Sequence, residues 1–211
     1  MDTIKSKYHE TLAATVIKNL EKRQMEGYYC PTVEDAEKLA FSFLKDGQTV
    51  SFGGSMTLEE TGMLTALRHD PSIHLIDRST AKTPDETKKM YHDALSSDVY
   101  FMSTNAITTG GELVNIDGTG NRVAALIYGP ETVVILAGMN KIAANVDEAL
   151  SRVHNVATAQ NCIRLDKKTP CAITGACADC LSPDCICNQV VITRRSGIKG
   201  RIKVLLIGES F

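Results

Sequence analysis

The run Thr132-Val133-Val134-Ile135-Leu136-Ala137 contains no charged side chain. Successive side chains of a strand point to opposite faces of a sheet, so an unbroken apolar run predicts a strand that is buried on both faces. Such a strand requires helices on both sides of the sheet, and shorter runs at 49–52, 73–76, 98–102 and 203–207 supply further strands. The sequence therefore predicts an α/β fold with a mostly parallel sheet and helices on both faces.

Helical patterns occupy most segments between these strands. Apolar residues recur every four positions from Ile4 to Leu20, which predicts a first helix from about residue 3 to residue 25. Typical N-cap residues predict the starts of later helices at Thr32, Thr83 and Asn145. Thr57 and Glu60 match a capping box for a helix that runs to about Arg68.

The segment 112–128 is predicted to form an antiparallel hairpin. Residues 112–116 and 122–128 flank the turn sequence Asp117-Gly118-Thr119-Gly120. The chain has no internal repeat and no low-complexity linker, so we expect one domain over residues 1–211. Within it we expect N-terminal helices at 1–46 and a cysteine-rich excursion at 162–190 before the last strand.

Composition excludes several classes of protein. The 211 residues carry a formal net charge of -2 at pH 7 and include no Trp, which is not typical of proteins that bind nucleic acids or anionic membranes. No apolar stretch reaches the roughly 18 residues of a membrane-spanning helix, and the first residues lack the apolar segment of a secretory signal. We therefore expect a cytoplasmic protein with no nucleic-acid or membrane partner, whose cysteines are thiols or metal ligands.

Ligands of open α/β sheets bind at the carboxyl ends of the strands, so residues that follow each strand are candidates. Gly53, Gly54, Ser55 and Thr57 follow the strand at 49–52 and precede a helix. Free backbone N–H groups at such a turn can bind a phosphate or carboxylate. The alternative is a tight turn in which Ser55 or Thr57 only caps the helix. The motif is neither a dinucleotide fingerprint nor a P-loop.

Later loops supply five more polar candidates, namely Asn105, Glu112, Asn121, Arg122 and Lys141. Glu112 can act as a general base or bind a substrate hydroxyl, and Arg122 suits a bidentate grip on a carboxylate or phosphate. Lys141 follows the most apolar strand, at the expected ligand end of the sheet. The alternatives are a solvent-facing Glu112, a turn role for Asn121, a surface ion pair for Arg122 and a solvated Lys141.

Five of the seven cysteines fall between Cys171 and Cys187. The pair Cys177 and Cys180 has the two-residue spacing that aims both sulfurs at one metal ion. We predict that Cys171, Cys177, Cys180 and Cys187 bind a 4Fe-4S cluster or, as the alternative, zinc, with Cys185 as a spare cysteine. Free thiols are the remaining alternative.

Several of these segments together resemble the LUD (lactate-utilization) domain family. They are Gly53-Gly54-Ser55-Met56-Thr57 with Glu60 and Gly62, Thr104-Asn105-Ala106-Ile107-Thr108 with Gly110 to Leu113, Gly118-Thr119-Gly120-Asn121-Arg122-Val123, and Gly129-Pro130 through Asn140-Lys141-Ile142. The resemblance extends from the N-terminal helices to about residue 157. The cysteine-rich segment is similar to a tail found in one stand-alone branch.

The resemblance implies a fold similar to those of ribose-5-phosphate isomerases, glucosamine-6-phosphate deaminases and CoA-transferases. It also implies a part in the oxidation of lactate to pyruvate, which the family shares with iron–sulfur partner proteins. It supports the assignment of Gly53, Gly54, Ser55, Asn105, Glu112, Asn121, Arg122 and Lys141 to one pocket. A shared fold does not by itself assign an activity.

Three functions agree with these residues. The one we favour is a redox component that oxidises lactate or a related 2-hydroxy acid, in which Arg122 and Lys141 hold the carboxylate, Glu112 takes a proton and a cluster relays electrons. The second is an isomerase or transferase for a phosphorylated or carboxylated metabolite, with structural zinc. The third is a non-catalytic subunit that binds a small anionic metabolite or docks to an iron–sulfur protein. The long first helix also suits a homodimer interface.

Overall fold

The computed structural model describes residues 3–211. Its strands, in chain order, are β1 (Glu26–Cys30), β2 (Thr49–Phe52), β3 (His74–Ile76), β4 (Val99–Met102), β5 (Ala106–Thr108), β6 (Leu113–Asp117), β7 (Thr132–Gly138), β8 (Ile142–Ala143), β9 (Gln189–Thr193) and β10 (Ile202–Ile207). Its α-helices are α1 (Thr3–Lys22), α2 (Val33–Phe41), α3 (Met56–Glu60), α4 (Met63–His69), α5 (Pro84–Ala94), α6 (Asn121–Ile127), α7 (Val146–Arg152), α8 (Ala159–Arg164) and α9 (Pro170–Thr174). Short 3₁₀ turns lie at Arg78–Thr80 and Met139–Lys141, and a π-helix joins α7 to α8 at Val153–Thr158.

Six strands form a parallel sheet in the order β1-β10-β7-β4-β2-β3. Alternate residues of β7 enter two separate cores. Val133, Ile135 and Ala137 pack with α1, α5 and α6, whereas Val134 and Leu136 pack with α2, α3 and α4. The predicted mostly parallel sheet with helices on both faces is therefore confirmed, and the uninterrupted apolar run of β7 follows from burial on both sides.

A second, smaller sheet has the strand order β8-β5-β6-β9. Here β6 runs antiparallel to β5 and to β9, so Leu113 pairs with Thr193 and Asp117 with Gln189. Residues 121–127 form the helix α6, and the predicted hairpin of 112–116 with 122–128 is wrong. Gly120 precedes α6 with a φ of 89°, and the alanines and leucine that follow favour a helix once β9 has taken the place beside β6.

Two other helix predictions need correction. The first helix ends at Lys22, and the segment 1–46, predicted as helical, also contains β1, which pairs with β10 at the far end of the chain. The helix predicted from Thr57 to Arg68 is divided into α3 and α4 by Gly62, which has a φ of 73°. The caps at Thr32, Thr83 and Asn145 are confirmed, since each side chain accepts a backbone N–H three residues on.

The topology brings the carboxyl ends of β2, β3, β4 and β7 to one edge of the main sheet. The loops that leave these ends start at Gly53, Asp77, Ser103 and Met139. Among residues 3–211, no helix has both the length and the apolar character needed to cross a bilayer. The edge formed by these four strand ends is the place where sheets of this kind bind ligands.

Candidate functional site

A cavity of about 900 Å³ opens at the carboxyl ends of β2, β3, β4 and β7. The loops after these strands supply Gly54, Arg78, Ser103 and Lys141 to its wall. The opposite wall is formed by α8 and by part of the cysteine-rich segment, including Cys185. The cavity thus lies between the main sheet and the excursion that the sequence predicts at 162–190.

Basic side chains outnumber acidic ones around this cavity. The basic residues are Arg78, Arg122, Lys141, Arg152, Arg164 and Lys167, and the acidic residues are Glu60, Asp117 and Asp184. An excess of positive charge on concave walls favours the binding of an anion, because water screens the charges less there than on an open surface. The arrangement therefore suits a small metabolite that carries a carboxylate or a phosphate.

Lys141 is the most deeply buried amine of the cavity, with 8 % of the residue exposed. Its Nζ contacts Thr57 Oγ1 and donates to Ser103 Oγ over 2.9 Å. Within residues 3–211, no carboxylate forms an ion pair with this amine. The pKa of Lys141 is lowered to about 8, mainly by burial and also by the positive charges of Arg152 and Arg122, against the opposing effect of Glu60.

Arg122, on the first turn of α6, is held by the protein itself. Its guanidinium donates to four oxygens, namely Asn115 Oδ1 (2.6 Å), Ile116 O (2.7 Å), Asn105 Oδ1 (3.0 Å) and Ser103 O (3.1 Å). Its Nε faces Asp117 Oδ2 at 3.8 Å. Both terminal nitrogens use both of their protons in this way, so Arg122 orders the loops around the cavity. It has no pair of N–H groups left for the predicted bidentate contact with a ligand.

The glycine turn after β2 is a capping turn. Ser55 accepts the backbone N–H of Leu58 at 3.4 Å, which is the alternative that the sequence left open. The helix that it caps, α3, has only five residues and therefore a weak dipole. Gly54, Ser55 and Thr57 line the cavity, whereas Gly53 lies behind it, where a Cβ would stand 2.9 Å from Arg122 Cγ.

Both predicted asparagines line the cavity, and Asn105 also orders the loops around it. Asn105 Oδ1 accepts from Arg122 and, over 2.9 Å, from the backbone N–H of Ile116. It therefore ties the loop after β4 to strand β6. Asn121, the first residue of α6, borders the cavity near Arg78.

Glu112 is not among the residues that line the cavity. Its carboxylate pairs with Arg23 and accepts from the hydroxyl of Thr108, at the turn between β5 and β6. Burial alone would raise the pKa of Glu112, but the Thr108 hydrogen bond and the charge of Arg23 hold it below its usual value. In this position Glu112 fastens the end of α1 to the second sheet, and the structure does not bring it to the predicted catalytic position.

Arg78 and Arg152 were not identified from the sequence, yet both line the cavity. The Arg78 guanidinium lies over the ring of Tyr91, with 5.6 Å from Cζ to the centroid, and has no hydrogen-bond or ion-pair partner within residues 3–211. Arg152 donates from Nε to Asn140 O (3.0 Å) and from Nη1 to Asn105 O (2.6 Å), which leaves Nη2 free. Arg78 follows β3, so the rule that ligands bind at strand ends could have found it. Arg152, at the end of a helix, carries no such signal.

The four predicted metal ligands do not form one ligand group, although Cys180 and Cys187 both interact with Cys185. Cys171 is buried beside Cys162, and Thr169 Oγ1 lies 3.3 Å from its sulfur. Cys187 is paired with Cys185 instead, through its N–H to Cys185 Sγ at 3.3 Å. The expected spare cysteine, Cys185, is therefore the one that faces the cavity.

The other two predicted ligands have polar neighbours of their own. Cys177 Sγ lies 3.7 Å from His154 Nδ1, and Cys180 Sγ lies 3.5 Å from Ser182 Oγ. Over the part of the chain that the structure describes, no three His, Cys, Asp or Glu side chains are arranged to hold a metal ion. The four thiols in this arrangement do not fit a four-sulfur centre, and we assign no chemical step to one.

Comparison with known proteins gives a family and a fold. A family model described as the LUD domain matches residues 13–207. The crystal structure of a DUF162 family protein from Deinococcus radiodurans is similar over 94 % of this chain and 98 % of that chain, with 10 % identity and a TM-score of 0.53. Ribose 5-phosphate isomerase A from Methanocaldococcus jannaschii matches 53 % of this chain and 54 % of its own, with 20 % identity and a TM-score of 0.33. None of the curated proteins matches this chain.

Proposed function

The chain belongs to the LUD domain family and is thereby related to lactate-utilization proteins, and from this we propose that it acts on a 2-hydroxy or 2-oxo acid bound in the cationic cavity. The observation that carries the proposal is the environment of Lys141. This amine is buried, contacts only hydroxyl groups and lies beside two arginines. Such a lysine is poised to exchange a proton with a ligand, because it is not tied to a carboxylate of the protein.

The ligand carboxylate binds to the arginines that keep free N–H groups. Arg78 has its whole guanidinium available, and Arg152 has Nη2. Charge-assisted hydrogen bonds from such groups are roughly twice as strong as neutral ones. Arg122 contributes by holding Asn105 and the backbone of Ser103 in place and by adding positive charge. It is a positioning residue in this scheme.

Lys141 takes the proton of the substrate hydroxyl in the favoured form of the proposal. A neutral amine accepts that proton, and roughly one tenth of the amine is neutral at pH 7 because burial and neighbouring positive charges lower the pKa of Lys141 to about 8. Oxidation of a 2-hydroxy acid also breaks the Cα–H bond, which releases a second proton to water and two electrons. An acceptor outside this chain must take the electrons, and we propose an iron–sulfur protein partner for that role.

A second candidate is favoured by the size of the cavity. Pockets of about 300–1,000 Å³ enclose drug-sized ligands, and 900 Å³ is far more than a three-carbon acid fills. The basic residues Arg164 and Lys167 lie on the wall formed by α8 and the segment after it. A phosphorylated metabolite or a CoA ester would use this second wall, as an isomerase or transferase would require.

Ligand binding by an Arg78→Ala variant tests the proposal. We would titrate the wild-type protein with lactate, pyruvate, sugar phosphates and CoA esters, and follow binding by calorimetry and thermal shift. Loss of a charge-assisted hydrogen bond of about 1.5–3 kcal/mol weakens binding by about tenfold to a hundredfold. Arg195→Ala is the matched control, since it removes an exposed arginine that does not line the cavity. Equal affinity of both variants, or no response to any compound, would contradict the proposal.

Metal analysis separates the redox form from the second candidate. Protein purified without oxygen would be assayed for iron, zinc and acid-labile sulfide, together with a Cys177→Ala variant. About four iron atoms and four sulfides per chain, lost in the variant, would support a cluster that takes part in electron transfer. One zinc atom without visible colour would support a structural role for the cysteines.

A further inference from the structure

We propose that Lys141 forms a covalent imine with the carbonyl carbon of a 2-oxo acid bound in the cavity. The inference rests on the proposed function, because it assumes that the cavity admits such an acid. It goes further in giving the amine the role of a nucleophile in addition to that of a base. It also assigns the neighbouring hydroxyls a part in the reaction.

The first argument is the set of partners around Nζ. A buried lysine is ordinarily paired with a carboxylate, because an isolated buried charge is costly. Lys141 has the hydroxyls of Thr57 and Ser103 instead, both of which are themselves buried. Glu60 acts on it through charge alone. No ion pair therefore has to break before the amine attacks a ligand.

The second argument is the position of the amine in the cavity. Lys141 ends the 3₁₀ turn Met139–Lys141, directly after the strand β7 that crosses the core. Its backbone is thus fixed by a strand whose residues 133–138 are all buried, and its side chain lies in the cavity wall. Arg78 and Arg152 line the same cavity and hold the carboxylate that adjoins the carbonyl group of a 2-oxo acid. A bound acid would therefore present its carbonyl carbon to a fixed nucleophile.

The electrostatic surroundings supply the reactive form of the amine. Only a neutral amine attacks a carbonyl carbon, and desolvation next to another cation is a known way to obtain one near neutral pH. Lys141 has both features, since it is buried and lies near Arg152 and Arg122. With a pKa of about 8, roughly one tenth of the amine is neutral at pH 7.

The reaction conserves atoms and needs no oxidant. The lone pair of Nζ forms a C–N bond, and the carbonyl π bond opens to an alkoxide. A hydroxyl of Ser103 or Thr57 protonates that oxygen and regains a proton from the nitrogen. The carbinolamine then loses water, so the net change is amine plus oxo acid to imine plus water. The ligand carboxylate and Glu60 offset the positive charge of a protonated imine.

Reductive trapping tests this step directly. The protein would be incubated with pyruvate and sodium cyanoborohydride and then analysed by intact mass spectrometry and peptide mapping. We expect a mass gain equal to pyruvic acid less one oxygen atom, located on Lys141 and absent from Lys141→Arg. Lys168→Arg is the matched control and should be labelled like the wild type, since Lys168 is exposed and does not line the cavity. Lactate, which has no keto group, should protect Lys141 from labelling.

Binding measured in parallel distinguishes the two proposals. Pyruvate binding without any label on Lys141 would overturn the imine and leave the proposed function standing. Neither binding nor label would overturn both. A label on other lysines alone, unchanged in Lys141→Arg, would also overturn the imine. Because the site of labelling is mapped in the wild-type protein, the test remains decisive if Lys141→Arg does not fold.

Discussion

Arg78 and Arg122 line the same cavity, but the chain uses them differently. Arg122 is 11 % exposed and gives its terminal N–H groups to four oxygens of the protein. Arg78 rests on the ring of Tyr91 and keeps its N–H groups free. The sequence predicts that both side chains carry a positive charge. Only the positions of the protein's acceptor atoms decide whether a ligand can bind to that charge.

Lys141 should make the stability of the protein depend on pH. Its folded-state pKa of about 8 lies below the usual value of 10.5, so between these values the unfolded chain binds more protons than the folded chain. Stability therefore rises as pH increases from about 8 to 10.5. The full effect is about 3 kcal/mol, from 1.36 kcal/mol for each pKa unit. We expect Lys141→Met to lack this rise and to be more stable than the wild type at pH 7, apart from the hydrogen bonds that it loses.

Urea denaturation of both proteins at pH 7 and pH 10 measures this effect. The difference between wild type and variant removes the titration of all other groups. A difference that stays constant from pH 7 to pH 10 would show that Lys141 titrates with an ordinary pKa. It would also remove the support that this pKa gives to a neutral amine in the cavity.

The sequence locates Arg122, Asn105, Lys141 and Thr57 at the ligand end of the sheet because each follows a strand or a turn with a recognisable pattern. It does not show that Arg122 is already occupied. Three of its acceptors belong to residues 103, 115 and 116, and their approach depends on how the two sheets meet. Glu112 was misplaced for the same reason, since its partner Arg23 lies at the end of the first helix.

A buried arginine from outside helix α6 binds the carbonyl groups at the end of this helix. Arg201, just before β10, donates to the carbonyls of Ala125, Leu126 and Pro130 over 2.7–2.8 Å and is 8 % exposed. A lysine has no planar fork and would leave buried carbonyls unsatisfied, at about 1–3 kcal/mol each. We expect Arg201→Lys to lower the free energy of unfolding by about 2–4 kcal/mol.

Chemical denaturation compares Arg201→Lys with a surface control. Arg195→Lys makes the same substitution at an exposed position, where a change within about 0.5 kcal/mol is expected. Similar values for the two variants would mean that the three carbonyl contacts do not stabilise α6.

Element predictions succeeded where the pattern is local and failed where partners are distant. The N-caps at Thr32, Thr83 and Asn145 depend on neighbouring residues and were predicted correctly. The strands β1 and β9 pair with segments far away in the chain, β1 with β10 and β9 with β6. The apolar pattern of residues 122–128 fits either a strand or a helix. The hairpin prediction was wrong because it paired residues 112–116 with this adjacent segment, whereas β6 pairs with the distant strand β9.

Across the whole molecule, the seven thiols divide by exposure. Cys30, Cys162 and Cys171 are buried, whereas Cys177, Cys180, Cys185 and Cys187 are partly exposed. Burial also raises the pKa of the Cys30 thiol to about 11, and thiolates are the reactive form. We expect iodoacetamide to modify Cys180 early and Cys30 last in metal-free protein, as followed by peptide mass spectrometry over time.

Metal binding changes this order in a defined way. If the predicted ligands bind a metal or cluster, Cys171, Cys177, Cys180 and Cys187 become protected together, and a chelator restores their reactivity. Cys185 would stay reactive as the spare cysteine. Rapid modification of Cys30 in the metal-free protein would contradict the packing described for the core.

The sequence predicted the fold class because a strand with no polar face is stable only where both of its faces are covered. The six parallel strands and the helices on both faces confirm that inference. For the cavity, the sequence predicted only its location at the carboxyl ends of the strands. Its second wall comes from α8 and the cysteine-rich segment, whose residues 162–187 carry no helix or strand pattern that would place them against the sheet.

Because Arg122 is fixed by oxygens of the protein, its positive charge stays at the cavity wall whether or not a ligand is bound. A mobile arginine would have to reorient for each substrate, and that reorganisation would add to the free energy of binding and to the reaction barrier. Here the reorganisation is complete once the chain has folded. Under the proposed function, discrimination against neutral compounds is therefore built into the folded protein before any ligand binds.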